Sequence, residues 1–333
     1  MLNEDAEIRG KAGMVKIAVL GTLLLGLPLM AFPVGEEGQV PKFSLRLTAE
    51  GGSLAIGDLN TQLRSFNYNP EFDAIRRDRP EDAMVDGVIN TLNNYFARWE
   101  GELLIGLGRR LALGIAVSGS RIHKSDESLL KLTKNYVNPE YTYYQTLEYL
   151  YRPEFKAAAP LKLSLYYHLS PGARTSIYFF GGAGYYRGKL SEEFRFWSTL
   201  LEDPPLPGSA EWTRRYWETE LKSGIGLHAG VGLESRLTAR LALTLEVQGR
   251  YARIGNLRAT QVYEDGYPHY EESSGWLYYF TRENLFIWGV RHADIQVWEV
   301  PPDYSIEFIN NVKKASLNLS GMSLRLGIKV KLF

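Results

Sequence analysis

The 333-residue chain contains no cysteine. That excludes a disulfide scaffold, thiolate metal sites and thiol catalysis. It also lacks an excess of either charge, since 38 Lys and Arg balance 38 Asp and Glu. Without a basic excess there is no bulk electrostatic attraction to nucleic acid. Beyond residue 38, no run is apolar for the roughly 20 residues that a membrane-spanning helix needs. The five histidines, His123, His168, His228, His269 and His292, show no zinc-ligand spacing. No Ser/His/Asp arrangement stands out. The glycine clusters at 181–184 and 224–232 lie inside strand patterns, not between a strand and a helix, so they do not form a phosphate loop. The sequence therefore predicts no metal, no cofactor and no enzymatic activity.

The N-terminus has a pattern of its own. Arg9, Lys11 and Lys16 precede an apolar run from Ile17 to Phe32, the layout of a secretory signal peptide. Residues 1–38 are read as signal peptide plus the start of the mature chain, with a short N-terminal membrane anchor as the alternative. Residues 39–333 are read as one domain.

Across that domain the dominant period is two. Phe43, Leu45, Leu47 and Ala49 alternate with Ser44, Arg46, Thr48 and Glu50. Residues 97–107 and 111–118 alternate in the same way, as do 155–169, 175–190, 221–234, 239–254 and 315–333. Alternation of this kind places one residue set on each face of a strand. Each of the eight segments is long enough for the roughly 9–11 residues of a tilted membrane strand. Three connections, at 108–110, 170–173 and 235–239, are tight turns. The other four, at about 57–94, 121–153, 191–219 and 256–314, are long. Short turns on one side and long loops on the other describe an all-β, eight-stranded, antiparallel up-and-down transmembrane barrel.

The face opposite the apolar one holds Arg46, Glu50, Arg98, Glu100, Glu102, Lys162, Glu246, Arg250, Arg325 and Lys329. In a lipid-embedded barrel this face points inward. Closure puts the last strand beside the first, which gathers most of these charges on adjacent strands. The long ionic side chains are expected to lie across the small residues Ala112, Gly114, Ala116, Gly224, Gly226 and Gly230 of the other half. Arg325 is expected to pair with Glu50, Glu246 or Glu102. A salt-bridged plug and a narrow gated pathway are the two readings of this cluster.

The closing stretch, Leu324 to Phe333, resembles the terminal strand of Gram-negative outer-membrane proteins. Residues 180–186 and 226–234 resemble central strands of small outer-membrane barrels, the eight-stranded OmpA, OmpX and OmpW type. The resemblance implies that Leu324, Gly327, Ile328, Val330, Leu332 and Phe333 act as a signal for the barrel-assembly machinery. Phe333 departs from the family by falling on the face opposite Leu332. The resemblance also implies a bacterial outer-membrane location with both termini periplasmic. The other expected partners are outer-membrane lipid and a cell-surface protein or small-molecule ligand; nucleic acid is not among them.

Two further expectations concern the C-terminal third. The segment 256–314 carries Tyr263, Tyr267, Tyr270, Trp276, Tyr278, Tyr279, Trp288 and Trp298. Its aromatic content predicts order, with a protruding hairpin over 276–300. These rings are read as surface-loop aromatics, either for protein contact or as an interfacial girdle. In the last segment, Leu317 and Leu319 are out of phase with Leu324, Ile328 and Val330; one extra residue would restore a single apolar face, so a bulge or kink is expected near Ser320–Gly321. Function is read as adhesion, binding or envelope integrity through surface loops. A channel for small or apolar solutes is the alternative, and a lipid-acting barrel enzyme a third reading.

Overall fold

The computed structural model describes residues 40–67, 70–78, 80–137, 142–169, 174–203, 209–266, 269–284, 290–303 and 309–332. Residues 1–38, read above as signal peptide and start of the mature chain, residues 170–173, expected to form a tight turn, and Tyr267, Trp288 and Phe333 lie outside the described residues. In chain order the elements are β1 (Phe43–Ser53), β2 (Ile56–Gly57), α1 (Asp58–Asn67), α2 (Pro70–Asp78), β3 (Ala83–Gly87), β4 (Tyr95–Gly106), β5 (Leu111–Val117), β6 (Arg121–Ser125) and β7 (Ser128–Val137). They continue with β8 (Thr142–His168), β9 (Thr175–Asp203), β10 (Ser209–Thr219), β11 (Lys222–Arg236), β12 (Leu241–Tyr251), β13 (Arg253–Ile254) and β14 (Arg258–Asp265). The last are β15 (Tyr270–Asn284), β16 (Val290–Trp298), β17 (Ile309–Lys314), β18 (Leu317–Asn318) and β19 (Gly321–Lys331).

Eight of these strands close a ring in the order β9-β11-β12-β19-β1-β4-β5-β8, with β8 returning to β9. Every pairing is antiparallel. The ring strands are the eight alternating segments of the sequence. Leu237 N–H donates to the Leu241 carbonyl (2.9 Å) and Leu107 N–H to the Leu111 carbonyl (2.9 Å), which closes two tight turns at one rim. Both ends of the described chain meet at that same rim, where Leu332 N–H reaches the Phe43 carbonyl at 3.0 Å.

Alternation sorts the two faces sharply. Leu47, Leu163, Phe179, Leu227 and Ile328 point outward and are exposed, whereas Arg46, Glu102, Lys162, Glu246 and Arg325 are buried inside. Water would favour the reverse, and only a lipid exterior makes this arrangement stable. The chain is a transmembrane barrel by that criterion. Glycines let the wall curve tightly: a Cβ on Gly182 would run into the Leu163 carbonyl of the neighbouring strand.

The long connections are extensively folded. β8 has 27 residues and β9 has 29. At about 3.3 Å per residue they far exceed an apolar band about 25 Å tall. Their upper halves anchor a second curved sheet, β16-β15-β14-β10-β9-β8-β7-β3. This dome encloses the main apolar cluster, in which Ile56, Leu59, Leu63, Leu130, Phe155, Trp217, Leu277, Ile295 and Leu317 are almost fully buried. β15 and β16 pair as an antiparallel hairpin with Trp276 opposite Trp298.

Two expectations are corrected here. β19 does begin at Gly321, after a break at 319–320, but no extra residue restores an outward apolar face. Leu317 and Leu319 are buried and continue the inward, odd-numbered face of Ser323, Arg325 and Lys329. The phase of hydrophobicity changes because the surroundings change from lipid to water. The second correction concerns the surface-loop aromatics. Tyr270 and Trp298 are exposed, while Tyr263 and Trp276 are half-buried. Tyr278 and Tyr279, however, are buried. Tyr278 packs with Phe280 and Ile309, and Tyr279 joins the main cluster, because each face of this strand meets its own apolar cluster, the second one shared with the paired strand β17.

Candidate functional site: the lumen and the dome above it

Period-two alternation on β1, β4, β12 and β19 aims Arg46, Glu50, Glu100, Glu102, Glu246 and Arg325 into a lumen just wide enough for side chains. Arg46 bridges Glu102 and Glu246, and its Nε lies 2.8 Å from the Glu102 carboxylate. Tyr166 and Tyr178 complete that layer by donating to Glu102 (2.8 Å) and Glu246 (2.7 Å). Arg325 spans Glu246 (2.5 Å) and Glu100. Lys162 of β8 also contacts Glu100. Glu50 is shared by Arg98 (2.7 Å) and Arg250 (3.2 Å) towards the dome. Towards the tight-turn rim, Lys329 meets Glu234 at 2.8 Å.

Glu234, Tyr166 and Tyr178 are missing from the sequence-based cluster. Aromatics on an inward face read as core, and Glu234 sits near a turn. Its place opposite Lys329 depends on curvature that no local pattern reveals. The packing across the lumen also differs from expectation. Glu102 and the Tyr166 ring occupy the space beside Gly114, but Gly226 and Gly230 face the rings of Tyr186 and Phe180, not long ionic chains. Bulk from β8 and β9 fills that half. Of the terminal-strand residues, Leu324, Ile328, Val330 and Leu332 face outward, while Gly327 faces the lumen against Thr48 and Thr244.

Above the ionic layers the lumen becomes apolar. There β13, β18 and β2 continue the wall strands β12, β19 and β1 as a three-stranded sheet, with Ile254, Leu317 and Ile56 buried on its inner side. Ile56 adopts φ 58° and Gly57 φ 96°, and this pair turns the chain into α1. A β-branched residue in that region is strained, and total burial of its side chain holds it there. Asp58 fixes the start of α1 by accepting from Ser316 N–H (2.8 Å), Ser316 Oγ (2.9 Å) and Lys313 Nζ (2.7 Å). The helix then crosses the dome interior, with Leu59 and Leu63 wholly buried.

α1 also brings Gln62 to a polar cluster that no pattern in the sequence marks. Asp294 of β16 takes the Arg215 guanidinium at 3.0 and 3.3 Å. Glu192 of β9 lies 3.7 Å from the same guanidinium and 3.3 Å from Gln62 Nε2. Burial drives the Glu192 carboxyl up to about 7, because Arg215, already engaged by Asp294, offsets it only partly. Burial would raise Asp294 too, but there Arg215 prevails and holds the carboxyl below its ordinary range. These residues belong to three strands and one helix, at separations that carry no motif.

On the outside of the dome an open cleft of about 760 Å³ lies between α2, β3 and β7. Ile75, Arg76, Asp82, Met84 and Asn135 line it. Among the described residues, no group of three or more His, Cys, Asp or Glu could hold a metal ion. Ser164 Oγ and His228 Nε2 lie 2.8 Å apart, but both side chains are sealed within the lumen.

Together the closed ring, ionic lumen and apolar exterior define an eight-stranded antiparallel transmembrane β-barrel. The chain is similar to small outer-membrane barrels. The outer membrane protein OprG from Pseudomonas aeruginosa shares 7% identity, with 89% of this chain and 97% of that one covered and a TM-score of 0.34. CarO from Acinetobacter baumannii shares 10%, over 88% and 98%, with a TM-score of 0.28. A major outer membrane protein from Thermus thermophilus shares 11%, over 87% and 99%, with a TM-score of 0.25. No family model matches the sequence, and no curated protein matches it.

Proposed function

We propose that the protein is a sealed outer-membrane anchor that presents a folded dome for binding at the cell surface. The observation that carries this reading is the filling of the lumen: ion pairs occupy the membrane-embedded part, and above them α1 packs its Leu59 and Leu63 into the apolar cluster with Ile56, Ile254 and Leu317. A filled lumen suits an anchor and weighs against solute passage. The elaborate part of the chain is the dome, and its outer cleft between α2, β3 and β7 combines apolar with charged lining. That mixture fits a polar partner such as a protein surface. The reading assigns no catalysis, since the Ser164–His228 pair has no access to substrate. The tight-turn rim and both termini are assigned to the periplasm and the dome to the exterior, because short turns and long excursions sort that way in such barrels.

Orientation and exposure are tested together on intact cells. Tags inserted at Gly266 in the dome should be labelled from outside, and tags at Gly108 or Thr238 should not. Labelling of the tight-turn tags in unbroken cells would reverse the assignment and leave the dome unable to bind at the surface.

A further inference from the structure

The outward faces of β6, β8 and β9 carry a basic patch directly above the apolar belt. Strand register fixes its layout. Val117, Leu161 and Tyr185 stand side by side as the last apolar row on β5, β8 and β9. Across β6, β8 and β9, the next outward row is Arg121, Ala158 and Arg187. The row after that is His123, Lys156 and Lys189.

The second row is already partnered. Glu154 lies 2.6 Å from His123 and 2.8 Å from Lys156, and Glu218 lies 2.6 Å from Lys189. The first row is different. Arg121 and Arg187 are exposed, and among the described residues neither meets a carboxylate. They flank Ala158, whose methyl leaves the space between them open; two strand spacings separate them by roughly 10 Å at the Cα atoms. Two guanidinium groups flanking one gap suit phosphate oxygens. The patch is also one-sided. Round the rest of the ring, the outward residues at the tops of the strands, Ser223, Tyr251, Met322, Ser53 and Tyr95, are uncharged, and Arg253, the next outward residue above Tyr251, donates to Ser316 Oγ at 3.0 Å.

We propose that Arg121 and Arg187 bind the phosphate-bearing headgroup of an outer-leaflet lipid whose acyl chains lie along Val117, Leu161 and Tyr185. Continuity with the apolar belt selects a lipid over a soluble anion, which would gain nothing from those three side chains. The proposal rests on the reading that the dome faces outward. Binding is measured on the purified protein without reference to orientation, so failure here and failure in the cell-labelling test are separate results.

The experiment uses the full chain in neutral detergent. Binding of lipid A, of its phosphate-free counterpart and of inorganic phosphate is followed by native mass spectrometry and thermal shift. The wild type should bind lipid A in a salt-sensitive manner and bind the phosphate-free form weakly. Loss of each guanidinium should weaken binding by about tenfold, so R121A/R187A should bind far less well. R109A/R240A, which removes the same charge at the tight-turn rim, should bind like the wild type. Equal binding of the two lipid forms, equal losses in the two double variants, or inorganic phosphate binding as tightly as lipid A would each overturn the proposal.

Discussion

Arg325 shows at the scale of one residue what the lumen demands. It is almost fully buried and bridges Glu246 and Glu100. A buried pair is weak evidence for stability, yet removing one partner strands the other and costs about 3–5 kcal/mol. Arg325→Ala should therefore destabilise the barrel by that order in urea unfolding from lipid vesicles. Adding Glu246→Ala should cost less than the two single losses summed, and additivity would show that the pair is not coupled. Glu192 makes a second prediction, in the dome. Its folded carboxyl titrates near 7 against an ordinary value of 4.5. Between those values the folded state holds a proton that the unfolded state has lost, so this group makes stability fall as pH rises from about 4.5 to 7 and level off above. Glu192→Gln should flatten the fall and strengthen the dome at pH 8, by no more than roughly 3 kcal/mol. Protease resistance of the dome measured across that range gives the answer; an unchanged slope in the variant would assign the pH dependence elsewhere.

At the scale of elements, the lesson lies in where alternation changes phase. On β9 the outward residues Ile177, Phe179 and Tyr185 are apolar, and the next ones, Arg187 and Lys189, are basic. Inside, the change is reversed: Arg325 in the membrane gives way to Leu319 and Leu317 above it. The eight ring segments were legible because lipid on one side and ion pairs on the other give clean period-two contrast. The same logic misled at 317–324, where a change of solvent looks like a bulge. The upper halves of β8 and β9 were less legible because Pro153 and mixed polar residues blur their alternation. α1 was hidden too, since its buried face includes Asn60 and Gln62 and does not read as an apolar stripe. The clustering of Arg46, Glu102, Glu246 and Arg325 could be argued from closure of the ring, but the Glu192, Arg215 and Asp294 cluster could not, because only the dome's curvature unites it. α1 carries its own prediction. Leu63→Ala leaves a cavity where the side chain was wholly buried, at about 2–5 kcal/mol. The loss should appear as faster proteolysis of the dome, while the ring keeps its heat-modifiable migration on gels. Simultaneous loss of both would mean that ring and dome unfold as one unit.

The whole molecule has a single interior with two chemistries. Ion pairs fill it where the surroundings are lipid, and an apolar core fills it where the surroundings are water. The small sheet of β13, β18 and β2 carries the wall from one to the other, and α1 packs against its buried side chains. If this filling is the purpose of the arrangement, the barrel is an anchor and the dome is its working part. Single-channel recording of the purified protein in planar bilayers tests that claim most directly. The account predicts no steady conductance at moderate voltage for the wild type. A stable, reproducible conductance under the same conditions would contradict it and show that the lumen opens as a pathway.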